Sequence, residues 1–248
     1  ILNLLLMKKT YQDVYNNKEC ILILIYNKKF KFLEYSIRMK IYILRHEDRT
    51  MDLTFFSPLT KNGLDKSLKI SDELVKLEIN SIYSSPYVRT LQTIFPYSKR
   101  TSLPVKLDYS LTELYQSDNI PKKSYTITLP DYISKSFNSD ENYNSSIKPT
   151  EVEFPEKISN FKKRVKTFLN EIIMNNYKSE KNIILVTHQG VIDVIHKIIS
   201  KSKNKPTASE IRVDANSTLK EKDDFHYPKG AITKIFENNK WTFEKINW

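Results

Sequence analysis

Glycine is nearly absent from this chain, with three residues in 248. A phosphate-cradling loop built on repeated glycines cannot be assembled from so few, which removes the nucleotide-binding classes that depend on one. Cysteine is scarcer still. Cys20 is the only one, so there is no internal disulfide framework, and a reducing, cytoplasmic setting is expected. Long apolar runs are missing as well. The bursts Leu4-Leu5-Leu6 and Ile21 to Ile25 fall far short of the roughly 20 apolar residues that span a membrane. No signal-peptide pattern surrounds them, and no membrane association is expected.

Arginine is the last scarcity and the most informative. Only seven of the 40 basic residues are arginine, against a background rich in Lys, Asn, Ile and Tyr that suggests an AT-rich coding sequence. The net charge of +11 would suit nucleic acid or an anionic surface. The lysines are scattered rather than clustered, however, so no nucleic-acid partner is expected. Arg45, Arg49 and Arg89 fall in the two segments with most chemical character. A planar, bidentate fork there suits phosphate.

The chain is long enough to bury one full core. Residues 1–38 start with Ile rather than Met and carry seven basic and three acidic residues. They read as an N-terminal extension, either weakly folded or an upstream reading-frame artefact. Met39 then opens a domain expected over 39–248.

That domain alternates strand and helix patterns. Lys40 to Leu44 reads as a buried strand that ends in Arg45-His46-Glu47-Asp48-Arg49. Placing such groups at the end of a buried strand is costly unless something anionic sits there. An amphipathic helix follows to about Glu78, with Leu64, Leu68 and Val75 on one face and Ile70, Leu74 and Leu77 alongside. Ile79 to Tyr83 is a second strand. Ser85 then reads as a helix N-cap, with Pro86 at the first helical position and Arg89 in the first turn, where an anion is favoured. Leu103 to Leu107 is a short third strand. The composition shifts over about 115–157, which reads as a lid-like insertion.

A long helix is expected over Ser159 to Tyr177. Asn182 to Thr187 is another buried strand, and it too delivers a histidine, His188. If these strands are parallel neighbours, both imidazoles meet at one edge of the sheet, where α/β proteins bind ligands. His196 reads as a solvated helix residue, and His226 has no evident partner. Ile232 to Phe236 and Trp241 to Ile246 flank Asn238-Asn239, which favours a terminal β-hairpin.

Three permanent cations and two imidazoles describe a pocket for a dianionic phosphate. Histidine attacks phosphorus when one ring nitrogen is neutral and the other is held by an acceptor. Glu113 is the candidate proton donor to the leaving oxygen, with Glu47 and Asp48 as rivals. No metal site or cofactor is expected: neither HExxH nor His-x-His spacing occurs, and adjacent arginines repel a divalent cation.

Leu44-Arg45-His46, then Ser84-Ser85-Pro86 with Arg89 and Thr93, Leu111-x-Glu113, and Val186-Thr187-His188 together resemble the histidine phosphatase superfamily, in its phosphoglycerate-mutase-like branch. The resemblance covers Met39 to about Ile246. It implies a three-layer α/β/α sandwich with a mostly parallel central sheet. It also implies a phosphohistidine on His46, phosphate binding by Arg45, Arg89 and His188, and acid/base work by Glu113. Arg49 stands where some members carry a second arginine. The expected activity is metal-independent hydrolysis of a phosphomonoester, either a small-molecule ester or a phosphopeptide.

Two departures keep alternatives open. Glu47 replaces the glycine usual after the nucleophile, which would crowd the pocket and suits a weak or non-catalytic phosphate-binding scaffold. Gln189 replaces a second glycine. The mutase signature beyond the histidine is absent, because Arg49-Thr50-Met51 stands there. That favours hydrolysis over a mutase-type phosphotransfer.

Overall fold

The computed structural model describes residues 39–52, 54–114, 128–176, 179–201, 227–238 and 240–246. The extension 1–38, part of the insertion and His226 lie outside them. Among the described residues the strands are β1 (Lys40–Arg45), β2 (Ser81–Ser84), β3 (Val105–Leu107), β4 (Asn182–Thr187), β5 (Ile232–Asn238) and β6 (Lys240–Ile246). They form one sheet in the order β3-β2-β4-β1-β5-β6. The first four are parallel to their neighbours, whereas β5 runs antiparallel to β1 and closes the expected hairpin with β6.

Strand periodicity divides the core. Ile41, Ile43, Ile183 and Leu185 face one layer, which holds helix α4 (Ile158–Asn176) and helix α5 (Gln189–Lys201). Tyr42, Leu44, Ile184 and Val186 face the other, with helix α1 (Lys61–Val75) and helix α2 (Val88–Thr101). Because successive side chains point to opposite faces, near-continuous apolar strands are covered on both sides, as a parallel sheet requires. This is a three-layer α/β/α architecture.

Two helix assignments differ from the sequence reading. The buried stripe of α1 is Gly63, Ser67, Ile70, Ser71 and Leu74, while Leu64, Leu68 and Val75 are exposed. The side chains that let α1 approach its neighbours are small and partly polar, so hydropathy alone picks the wrong face. Helix α2 begins at Val88 with Tyr87 as N-cap, not at Pro86. The Ser85 hydroxyl still accepts from the Tyr87 amide, at 3.5 Å, but lies closer, at 2.9 Å, to His188 Nε2. His196 is half-buried rather than solvated, with its ring 6.4 Å from that of Tyr227.

The described part of the insertion is anchored. It contains the short helix α3 (Asp131–Ser136). Asp108, just past β3, accepts from the Tyr143 hydroxyl at 2.6 Å and from the Ser146 amide at 2.9 Å. No helix among the described residues is long and apolar enough to cross a membrane.

Candidate active site

Sheet register brings the two histidines together. Arg45 pairs with Thr187 across β1 and β4, and the His46 amide donates to the Thr187 carbonyl at 3.0 Å. His46 and His188 therefore leave adjacent parallel strands at the same level. Their rings meet edge to face with centroids 5.1 Å apart. Both are buried, at 5% and 0% exposure.

The state of His46 follows from its partner. Nδ1 lies 2.7 Å from the Glu47 carbonyl. A carbonyl only accepts, so Nδ1 carries the proton and Nε2 keeps its lone pair. Burial, then the nearby Arg89 charge, push this imidazole down to about 3. His188 is lowered by the same two causes in the same order. Both rings are neutral near pH 7.

Around them stand Arg45, Arg49 and Arg89. None pairs with a carboxylate among the described residues. Arg49 Nη1 donates to the Thr50 carbonyl at 2.7 Å and Arg89 Nη1 to the Thr54 carbonyl at 3.0 Å, while Arg45 Nη1 donates to the carbonyl of Tyr227. The Nε atoms of Arg45 and Arg89 are buried with no hydrogen-bond partner among the described residues. Burial opposes the charge of both, yet a guanidinium stays protonated. The result is one buried and two half-buried cations, none of them in an ion pair with a described carboxylate.

Glu113 faces this set. Its charge acts on both Arg45 and Arg89. Its Oε1 accepts from the Leu114 amide at 3.0 Å and its Oε2 from the Gly190 amide, in the first turn of α5, at 3.4 Å. Burial nevertheless pushes the carboxyl above its ordinary range. A Cβ at Gly190 would collide with Oε1.

The Glu47 carboxyl lies against Gly230. The side chain is fully buried, with Oε2 accepting from the Asp48 amide at 3.1 Å. The nearby charges are those of Lys66, Asp48 and Lys229. Gly230, at φ +75°, lies so close to Oε1 that a Cβ would overlap it. Room for the carboxyl comes from a glycine placed on β5's approach, where a positive φ favours glycine in any case. Asp48 pairs with Lys229 and accepts from Thr60 Oγ1 at 3.0 Å, contacts that hold its carboxyl below the usual range.

Gln189 also has a defined task. Its Nε2 donates to Asp193 Oδ1 at 2.7 Å and its Oε1 accepts from the Tyr227 amide at 3.2 Å. Tyr227 in turn receives Arg45. The amide thus ties α5 to the segment that grips the Arg45 guanidinium.

Sequence reasoning missed Arg164 and Glu156. Arg164 donates to both Glu156 oxygens at 2.7 and 2.9 Å, to the Ser110 carbonyl at 2.7 Å and to the Glu113 carbonyl at 3.3 Å. The pair fixes the backbone on which Glu113 sits. The scarcity of arginine that marked Arg45 and Arg89 applied equally to Arg164. Among the described residues, no group of three or more His, Cys, Asp and Glu is placed to hold a metal ion.

With this geometry, residues 45–222 match the sequence pattern of the histidine phosphatase superfamily, branch 1. The chain belongs to that superfamily. Among curated proteins, the transcription factor tau 55 kDa subunit of Saccharomyces cerevisiae is 28% identical over 140 residues, 53% of this chain. The match spans only 31% of that relative's length. Among solved structures, the ecdysone phosphate phosphatase of Bombix mori superposes with a TM-score of 0.56 at 16% identity, covering 84% of this chain and 92% of its own. The alpha-ribazole phosphatase of Shigella flexneri gives 0.52 at 20% identity, covering 85% and 96%. At these identities the superpositions speak for the shared phosphoglycerate-mutase-like fold.

Proposed function

We propose that this histidine phosphatase superfamily member hydrolyses a phosphomonoester without a metal, through a phosphohistidine on His46. The observation that carries the reading is the meeting of two neutral, buried imidazoles with Arg45, Arg49 and Arg89, none of which forms an ion pair with a described carboxylate. A dianionic phosphoryl group is the ligand that such a site stabilises.

In the first step His46 Nε2 forms a bond to phosphorus while the ester P–O bond breaks. The arginines and His188 hold the non-bridging oxygens. Glu113, whose carboxyl burial pushes above its ordinary range, passes its proton to the leaving oxygen. In the second step water attacks the phosphoryl group, its proton returns to the Glu113 carboxylate, and phosphate leaves with His46 neutral again. The rivals fit less well. Asp48 is held in its ionised form by Lys229, and the Glu47 carboxyl lies toward Gly230. That orientation also weakens the case for an inactive scaffold, which rested on Glu47 filling the pocket.

Steady turnover of a chromogenic aryl phosphate in excess chelator is expected, and no turnover across a broad panel of phosphate esters would contradict the activity. The pH profile carries a second expectation. His46 titrates far below 6.5, so kcat/KM should show no loss near that pH from imidazole protonation. Glu113 must hold a proton at the start, so the rate should fall as pH rises through its raised value. A rate that instead climbs through pH 6 to 7, beyond the rise expected from the substrate phosphate's own second ionisation at about pH 6, would mean that a histidine with an ordinary pKa limits the reaction.

The substrate is proposed to be a small-molecule phosphate ester or a phosphopeptide, with no nucleic-acid or membrane partner. A cytoplasmic setting suits the scarcity of cysteine.

A further inference from the structure

Burying a guanidinium ordinarily calls for a carboxylate beside it. Arg89, 6% exposed, makes no ion pair with a carboxylate among the described residues, and the Glu113 and Asp52 charges act on it without direct contact. What it has is Tyr87. This ring is fully buried, its centroid lies 4.3 Å from Arg89 Cζ, and it meets the His188 ring at 4.8 Å and 69°. Phe55 backs it at 4.6 Å, next to Thr54, whose carbonyl accepts a hydrogen bond from Arg89 Nη1. With Phe56 beyond Phe55 at 5.1 Å, an aromatic row runs from that loop to His188 and, at its far end, His46.

We infer that Tyr87 is a positioning residue that supports the Arg89 cation and fixes the His188 ring without consuming the positive charge a phosphate needs. A carboxylate in its place would cancel that charge and repel a dianion. An aromatic face attracts the cation through its quadrupole and carries no net charge. The same apolar ring favours the neutral form of His188 and restrains it on one side, while the Ser85 hydroxyl holds Nε2 at 2.9 Å. One side chain thereby orients two of the groups proposed to grip the phosphoryl oxygens.

This inference rests on the phosphate-binding reading above, and inorganic phosphate is the probe that separates the two. Wild type, Tyr87→Phe, Tyr87→Leu and Tyr87→Met are compared by phosphate-dependent shift of the thermal midpoint, and by kcat and KM on an aryl phosphate. Tyr87→Leu and Tyr87→Met both fill the space without a π face, so either one that folds suffices. Their phosphate affinity should fall about tenfold, and KM should rise more than kcat drops. Tyr87→Phe should recover most of the loss. A core-filling role predicts instead a lower midpoint without phosphate and unchanged phosphate affinity, and that result overturns the inference. If wild type binds phosphate but turns over no ester, the proposed activity fails while the phosphate titrations still decide the role of Tyr87. If wild type binds no phosphate, both readings fall.

Discussion

His46→Ala should lose aryl phosphate hydrolysis by a factor of about 10⁴ or more while keeping phosphate-dependent thermal stabilisation. The two halves of this result have separate origins. Hydrolysis requires the Nε2 lone pair that the Glu47 carbonyl secures by holding the proton on Nδ1. In the proposed mechanism no neighbouring group takes its place: Ser85 holds the His188 ring through Nε2, and Glu113 serves as the proton donor. In the proposed site phosphate binding rests mainly on Arg45, Arg49 and Arg89, which the substitution leaves in place. A steady-state assay, with a phosphate titration of the melting temperature, reads both. Comparable turnover by the two proteins would mean that the nucleophile is not His46. Loss of both properties would mean that the substitution disturbs the pocket rather than the chemistry.

The second large effect concerns stability. Arg164→Met should destabilise the protein by about 3–5 kcal/mol, measured by urea denaturation. The Arg164 and Glu156 side chains are 6% and 2% exposed. Removing the arginine strands a buried carboxylate and leaves the Ser110 and Glu113 carbonyls without this donor. Replacing both partners, as Glu156→Met with Arg164→Met, should recover a good part of the loss, because an apolar pair leaves no buried charge unanswered. Activity should stay low even in the double variant, since Glu113 would no longer be anchored from Arg164. A single variant that loses less than about 1 kcal/mol would show that water reaches Glu156 and screens it.

Much of the site was legible because it lies at strand ends. Apolar runs that stop abruptly at Arg45-His46 and Thr187-His188 locate two parallel strands, and parallel register then fixes the meeting of the imidazoles. The hairpin of β5 and β6 was equally plain from its turn residues. What the chain did not disclose depends on direction rather than identity. Glu47 occupies a glycine position, and only the packing of Gly230 against its carboxyl shows where that group lies. Ser85 has every attribute of a helix cap, but its hydroxyl divides between the Tyr87 amide at 3.5 Å and the nearer His188 Nε2 at 2.9 Å. Helix α1 misleads because its buried stripe uses Gly63, Ser67 and Ser71, residues that hydropathy places on the surface. Arg164 and Tyr87 act through contacts with residues distant in sequence or through a ring face, and no short motif marks either. Even so, scarcity held a clue. Each of the chain's three glycines lies where a backbone or carboxyl group next to the site leaves no room for a Cβ.

The central claim is a covalent phosphoryl group on His46, and rapid acid-free quenching of the enzyme with an excess of phosphate ester, followed by peptide mass spectrometry, tests it directly. The account predicts a phosphorylated peptide containing His46, labile to acid, stable to base and absent from His46→Ala. An enzyme that turns over the ester at full rate with no such species at any quench time, or with the phosphoryl group on another residue, would contradict it.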